Sequence, residues 1–132
     1  MLGDSKAFSG FAVDDVERAR TFYTDVLGLD VSVDAEMGFI RLALAGGGSV
    51  MIYPKSDFTP ATYTVLNFPV PDVTATVRAL AGRGVQFTRY DGFGQDEDGI
   101  ARGPQGPAIA WFSDPAGNIM SVIETADDAN AS

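Results

Sequence analysis

The chain has no cysteine and no histidine among its 132 residues. The first absence removes disulfides, thiolate nucleophiles and cysteine-based metal sites. The second removes the commonest metal ligand and the side chain that most readily exchanges protons near neutral pH. A Ser-His-Asp triad and a two-histidine, one-carboxylate iron site are therefore excluded. Basic residues are also scarce, nine Lys and Arg against eighteen Asp and Glu, for a net charge of −9. Neutralising phosphates needs clustered Lys and Arg, so nucleic acid is not an expected partner. The acidity mildly favours cationic or neutral ligands, and otherwise serves solubility. No run approaches the ~20 apolar residues that cross a bilayer. The opening Met1-Leu2-Gly3-Asp4-Ser5-Lys6 lacks the basic-then-apolar pattern of a secretory signal. The expected setting is cytoplasmic, with no membrane partner.

What is present is one plan written twice. Phe11-Ala12-Val13-Asp14-Asp15-Val16 recurs 57 positions later as Phe68-Pro69-Val70-Pro71-Asp72-Val73. In each copy a short apolar run leads into Asp, and helical spacing follows. In the first copy Asp14 reads as the N-cap with Glu17 as its capping-box partner, and Val16, Ala19, Phe22, Tyr23 and Val26 form the apolar stripe. In the second, Asp72 caps a stripe of Val73, Val77 and Leu80. Gly28 and Gly84 close the two helices. Strand-like runs cover 7–13, 30–35, 38–45 and 48–54, then 63–70, 85–89, 108–113 and 118–124. The run Gly46-Gly47-Gly48 is a turn, because no helix and no Lys-Ser or Lys-Thr pair follows to make a phosphate loop.

This reads as one α+β domain over 1–132: repeat one at about 7–54, a linker at 55–61, repeat two at about 63–124, and a frayed tail at 125–132. Two βαβββ repeats are expected to form an eight-stranded cupped mixed sheet, with a helix from each repeat on the outer face. A ligand site is expected between the two repeats.

The stretch Val13-Asp14-Asp15-Val16-Glu17-Arg18-Ala19-Arg20-Thr21-Phe22-Tyr23 with Leu27-Gly28-Leu29, together with Asp114-Pro115-Ala116-Gly117-Asn118 before the last strand, resembles the vicinal oxygen chelate superfamily. That family includes glyoxalase I, fosfomycin-resistance enzymes, extradiol dioxygenases and bleomycin-binding resistance proteins. The resemblance covers residues 7 to 124. It implies metal ligands on four cup-facing strands, one of them five residues before the valine that opens the helix motif and another seven after the turn aspartate. Those positions hold Phe8 and Ser121, and the repeat matches them to Val65 and Ile52. Three hydrocarbons and a hydroxyl do not suit a hard divalent ion. On this match no metal and no cofactor is expected.

The residues expected to line the cup are Phe8, Ile52 and Val65 as an apolar floor, with Asn67, Ser121, Tyr53 and Arg102 as polar contacts. Tyr90 and Arg102 belong to a long irregular stretch, Tyr90 to Pro107, expected to cover the mouth of the cup. Trp111 lies on a strand beside it, as core or as ligand platform. Arg41 alternates with Ile40 and Leu42, and reads as an exposed-face residue or as one reaching into the cup. Glu124 reads as a solvated strand end.

The reading that results is a small-molecule-binding protein, holding an organic ligand or antibiotic in the cup, and a homodimer as the resemblance implies. The alternative is a glyoxalase- or dioxygenase-type enzyme, or a metal-independent lyase or isomerase using Lys55, Asp91 or Tyr90 as acid-base group. A dimerising module without ligand is a third. The sequence assigns no catalytic residue.

Overall fold

A computed structural model of the protein describes residues 1–103 and 106–125. The strands are β1 (Ser9–Val13), β2 (Asp30–Asp34), β3 (Phe39–Ala43), β4 (Ser49–Pro54), β5 (Thr64–Val70), β6 (Phe87–Thr88), β7 (Ile109–Ser113) and β8 (Ile119–Glu124). The helices are α1 (Val16–Thr21) and α2 (Val73–Ala81), and a short 3-10 turn precedes them at Leu2–Asp4. The architecture is α+β, and each half is a βαβββ repeat.

The sheet hydrogen bonds close within each repeat. Instead of one eight-stranded sheet there are two four-stranded mixed sheets, ordered β1-β4-β3-β2 and β5-β8-β7-β6. In each, the first strand pairs parallel with the last, and the other pairs are antiparallel. The chain divides into two compact units, Met1–Pro60 and Ala61–Ser132, and the border falls in the expected linker.

The caps follow the repeat. Asp15, not Asp14, caps α1 by accepting the Arg18 N–H at 3.1 Å, and Asp72 caps α2 by accepting the Ala75 N–H at 3.0 Å. Asp15 and Asp72 are the equivalent residues, so the repeat itself points to Asp15. Glu17 is thereby free of the capping role and pairs with Arg20 at 3.0 Å. The end of α1 widens, with Leu27 N–H donating to Phe22 O, five residues back. Gly28 and Gly84 then leave the helices at φ of 71° and 96°, a region that costs a side-chain-bearing residue energy.

Each helix covers one face of its own sheet. In the first unit Ala19 and Tyr23 pack on the face carrying Val13, Ile40, Leu42, Val50 and Ile52, all buried. In the second, Val73 and Val77 meet Ala110, Phe112, Met120 and Val122. Burial of these side chains supplies the main driving force, about 1.5–3 kcal/mol for each large apolar side chain. No helix among the described residues is long and apolar enough to cross a membrane.

The Asp114–Asn118 turn is held by its own side chains. Asp114 Oδ1 accepts N–H groups of Ala116 and Asn118, and the Asn118 amide donates to Asp114 Oδ2 at 3.3 Å while its oxygen accepts the Ala61 N–H. Both residues are buried. Of the tail expected to fray, Thr125 is tied down by its N–H to Val70 O at 2.9 Å, and 126–132 lie outside the described residues.

Candidate functional site

The face of each sheet turned away from its helix carries polar and half-open side chains at mid-strand, among them Arg41, Met51 and Trp111. Strand pairing fixes which residues share it. In the first unit Gly10 pairs with Met51, Met51 with Arg41, and Arg41 with Ser32. In the second Asn67 pairs with Ser121, Ser121 with Trp111, and Trp111 with Thr88. These two rows are structural equivalents, one residue from each strand in the same order.

The rows correct the expected floor. Ile52 pairs with Phe11 and Ile40 and is fully buried on the helix-covered face. Its equivalent in the second unit is Val122, which pairs with Phe68. The partner of Ser121 in the repeat is Met51. The two loops between the helix and the last strand differ in length, so matching by sequence slipped one position, and a slip of one turns a strand residue to the other face. Tyr53, two residues beyond Met51, shares the open face and is half-buried. Phe8 sits just before β1 and is 54% exposed. Val65 occupies an irregularity in the β5–β8 pairing, between Thr64 and Leu66.

In the first unit the open face is dominated by Arg41. Its guanidinium carbon lies 4.9 Å from the Phe8 ring centroid and 5.5 Å from that of Phe39. One N–H reaches Ser49 Oγ at 3.5 Å. Arg41 is half-buried, not a solvated strand residue. Beside it is a hollow of about 420 Å³ lined by Ser32, Asp34, Glu36, Phe39 and Arg41 among others. Gly10 completes the row because a Cβ there would stand 3.1 Å from the Met51 carbonyl oxygen.

In the second unit Ser121 is fully buried and donates its hydroxyl to Asn67 Oδ1 at 2.5 Å. Trp111 stands beside Ser121 and is half-open, not part of the buried core. Tyr90 meets its ring edge-on at 5.3 Å between centroids, and Phe93 lies tilted at 5.2 Å. The three rings border a hollow of about 170 Å³ with Tyr63, Thr64 and Ile119. The start of the irregular stretch therefore lies beside Trp111 on the open face.

Residues 95–102 of that stretch do something else, and 104–105 lie outside the described residues. The Gln95 amide donates to Thr88 O and Gly99 O and accepts the Tyr90 N–H. Asp96 Oδ1 accepts N–H groups of Asp98 and Ile100, and its Oδ2 accepts Arg102 Nε at 3.0 Å. Arg102 also donates to Thr74 Oγ1 on α2. Arg102 is thus held against the helix side of its unit, away from the Trp111 row. Burial raises the Asp96 carboxyl, but the Ile100 N–H, the Arg102 guanidinium and the Asp98 N–H outweigh it and leave the group more acidic than an ordinary Asp. Ile100 and Ala101 are buried, so this half of the stretch is a folded strap.

Among acid-base candidates, Lys55 pairs with Asp57 in solvent, and Asp91 is exposed. Glu124 pairs with Val70 and lies on the face of Val122, opposite Ser121. Among the described residues no group of three or more acidic side chains converges. The residues missed from the sequence are Met51, Phe39 and Tyr63. The repeat could have given Met51 if pairing had been anchored on Val13 and Val70, whose carbonyls accept from Lys55 and Thr125.

Comparison with known proteins bears on this geometry. The profile of the Glyoxalase/Bleomycin resistance protein/Dioxygenase superfamily matches residues 8–122. No curated protein matches the chain. An antibiotic-binding protein from Streptomyces sp. CB03234 is 25% identical, with a TM-score of 0.67 over 93% of this chain and 98% of that one. A fosfomycin resistance protein from Listeria monocytogenes is 12% identical, with a TM-score of 0.69 over 92% and 93%. A lactoylglutathione lyase from Agrobacterium tumefaciens is 20% identical, with a TM-score of 0.65 over 89% and 92%. The last two are alike in fold alone.

Proposed function

Because the chain belongs to the Glyoxalase/Bleomycin resistance protein/Dioxygenase superfamily, we propose that it binds a small organic molecule, of antibiotic type, on the open faces of its sheets, and that it does so without the superfamily's metal. The observation that carries this reading is the aromatic corner of Trp111, Tyr90 and Phe93 around a hollow, one strand away from the Ser121–Asn67 pair. Three rings set edge-on and tilted leave faces for a planar ligand, and the exposed Asn67 amide, braced by the buried Ser121 hydroxyl, gives it orientation. The antibiotic-binding Streptomyces protein, alike over nearly the whole of both chains, supports that class of ligand.

The metal positions, with the register corrected, hold Phe8, Met51, Val65 and Ser121. A thioether, two hydrocarbons and a neutral hydroxyl supply neither the carboxylate nor the imidazole oxygen and nitrogen donors that zinc, nickel or manganese select. The residues therefore do not fit the group. Site size argues for a homodimer. A hollow of about 170 Å³ accepts one ring, whereas drug-sized ligands need ~300 Å³ or more. A second copy of the chain supplies further wall, as in symmetric pairs generally.

Trp111 is the only tryptophan, so its fluorescence reports on this site alone. Screening of planar antibiotics should find ligands that shift or quench it saturably. Trp111→Phe should lose the signal, and Tyr90→Ala should weaken binding by about 1 kcal/mol or more. Sedimentation or light scattering should give twice the chain mass. A ligand found by an independent method that leaves Trp111 fluorescence untouched would sink the reading.

A further inference from the structure

The aromatic corner says nothing about the charge of the ligand, but the first unit does. Arg41 stands at mid-strand on the open face of β3, half-buried, with two rings against its guanidinium. A guanidinium has five N–H donors. Among the described residues, Arg41 has one protein hydrogen bond, to Ser49 Oγ at the long distance of 3.5 Å, and no carboxylate in ion-pair reach. This stands out in a chain with twice as many acidic as basic residues. Arg20, Arg78 and Arg102 each hold a carboxylate, at 3.0 or 3.1 Å. No buried side-chain nitrogen among the described residues lacks a partner, so the unspent donors of Arg41 are open to solvent and accessible to an anion. The rings of Phe8 and Phe39 pack against the guanidinium and limit where it can lie, and a guanidinium fork suits two-point contact with planar oxygens.

The hollow beside Arg41 supplies room and polarity. Its volume, about 420 Å³, lies within the range of ligand sites. Ser32 adjoins Arg41 in the row, while Asp34 pairs with Phe39 two residues along, ~7 Å away by strand rise. Asp34 and Glu36 both border the hollow. A simple dianion would be repelled at that end, but a molecule with its acid group at one end and an amine at the other meets opposite charge at both.

We propose that Arg41 is the anchor for the carboxylate of a zwitterionic ligand lying in this hollow, with its ammonium end toward Asp34 and Glu36. The proposal deepens the binding role given above by naming a ligand chemistry. It rests on the first unit, whereas that role rests on Trp111 in the second, so each can fail without the other.

The test uses 4-(aminomethyl)benzoate as probe and 4-(aminomethyl)benzamide as the same shape without the acid charge. Nitrogen-15 spectra of the whole protein follow the Arg41 side-chain Nε–H and the backbone amides of Ser32 and Phe39. The carboxylate probe should shift all three saturably and bind about tenfold or more tightly than the amide, the usual size of a charge-assisted hydrogen bond. Arg41→Gln should abolish that preference, and Arg41→Lys should keep part of it, because a point charge replaces a planar fork. Equal binding of the two probes by the parent overturns the proposal without any variant. So does the absence of a saturable shift at Arg41, or a preference that survives in Arg41→Gln. Should a screening hit move Trp111 fluorescence while Arg41 ignores both probes, the anchor is wrong and the general binding role stands.

Discussion

Met51 pairs with Gly10 as Ser121 pairs with Asn67, and the two residues therefore hold the same place in their respective sheets. The relationship puts a thioether where the second unit has a hydroxyl, and it sends the neighbouring Ile52 under α1. The open face thus differs in chemistry between the units while the buried face stays uniformly apolar.

This register has a direct thermodynamic signature. Ile52→Ala removes a fully buried side chain and should cost about 2–5 kcal/mol in denaturant unfolding. Met51→Ala, on the half-open face, should cost about 1 kcal/mol or less. Equal losses at the two positions would contradict the pairing of Phe11 with Ile52.

The Ser121–Asn67 bond should matter more to orientation than to folding. Ser121→Ala removes one hydrogen bond, and Asn67, which is exposed, can turn to water instead. The expected loss is about 0.5–1.5 kcal/mol. Ligands identified through Trp111 fluorescence should then bind with altered relative affinities in the variant. An unchanged ranking of ligands would remove the pair from the site.

Arg102 was expected among the ligand contacts, and its partners give the opposite forecast. Arg102→Ala should leave ligand affinity within about twofold of the parent, well under the 1 kcal/mol that marks a contact residue. It should loosen the strap, seen as faster amide exchange at Ile100 and Ala101. Since the Arg102–Asp96 pair is substantially solvent-exposed, the stability loss should be small, ~0.2–1 kcal/mol. Weakened ligand binding with an unaltered exchange pattern would restore Arg102 to the site.

Asp96 makes the strap acid-sensitive. Its carboxyl is more acidic in the folded protein than in the unfolded chain. Its stabilising contribution is therefore present above the unfolded carboxylate pKa and is lost as pH falls through the lower, folded value. Amide exchange at Asp98 and Ile100 should rise across that acidic window and not between neutral and mildly acidic pH. Asp96→Asn should show the loosened pattern at neutral pH. Protection that is independent of pH down to full carboxylate protonation would rule the device out.

Added zinc, nickel or manganese should leave the melting temperature where it is, because a ligand that binds only the folded state raises it by mass action. A shift with any of the three, reversed by chelator, would show that donors outside the four corrected positions assemble a metal site.

The sequence by itself determined the repeat, the α+β class, the Asp72 cap and the turn at Asp114–Asn118, while the first cap fell one residue beyond the Asp14 it pointed to. These are local: each depends on residues within a few positions, or on periodicity along one segment. That Ser121 and Asn67 share a face was legible too, because alternation along a strand assigns faces once one residue is anchored. Only the tertiary structure decided Met51 over Ile52, the strap role of Arg102, and the placement of Arg41 under Phe8. Each depends on partners distant in sequence. Unequal lengths of chain between the helix and the last two strands leave the register of those strands without any local mark, and one residue of shift exchanges the two faces. A long cationic side chain, for its part, goes to whichever carboxylate or ring the fold brings within reach. Asp96 claimed Arg102 in that way, and Phe8 and Phe39 claimed Arg41.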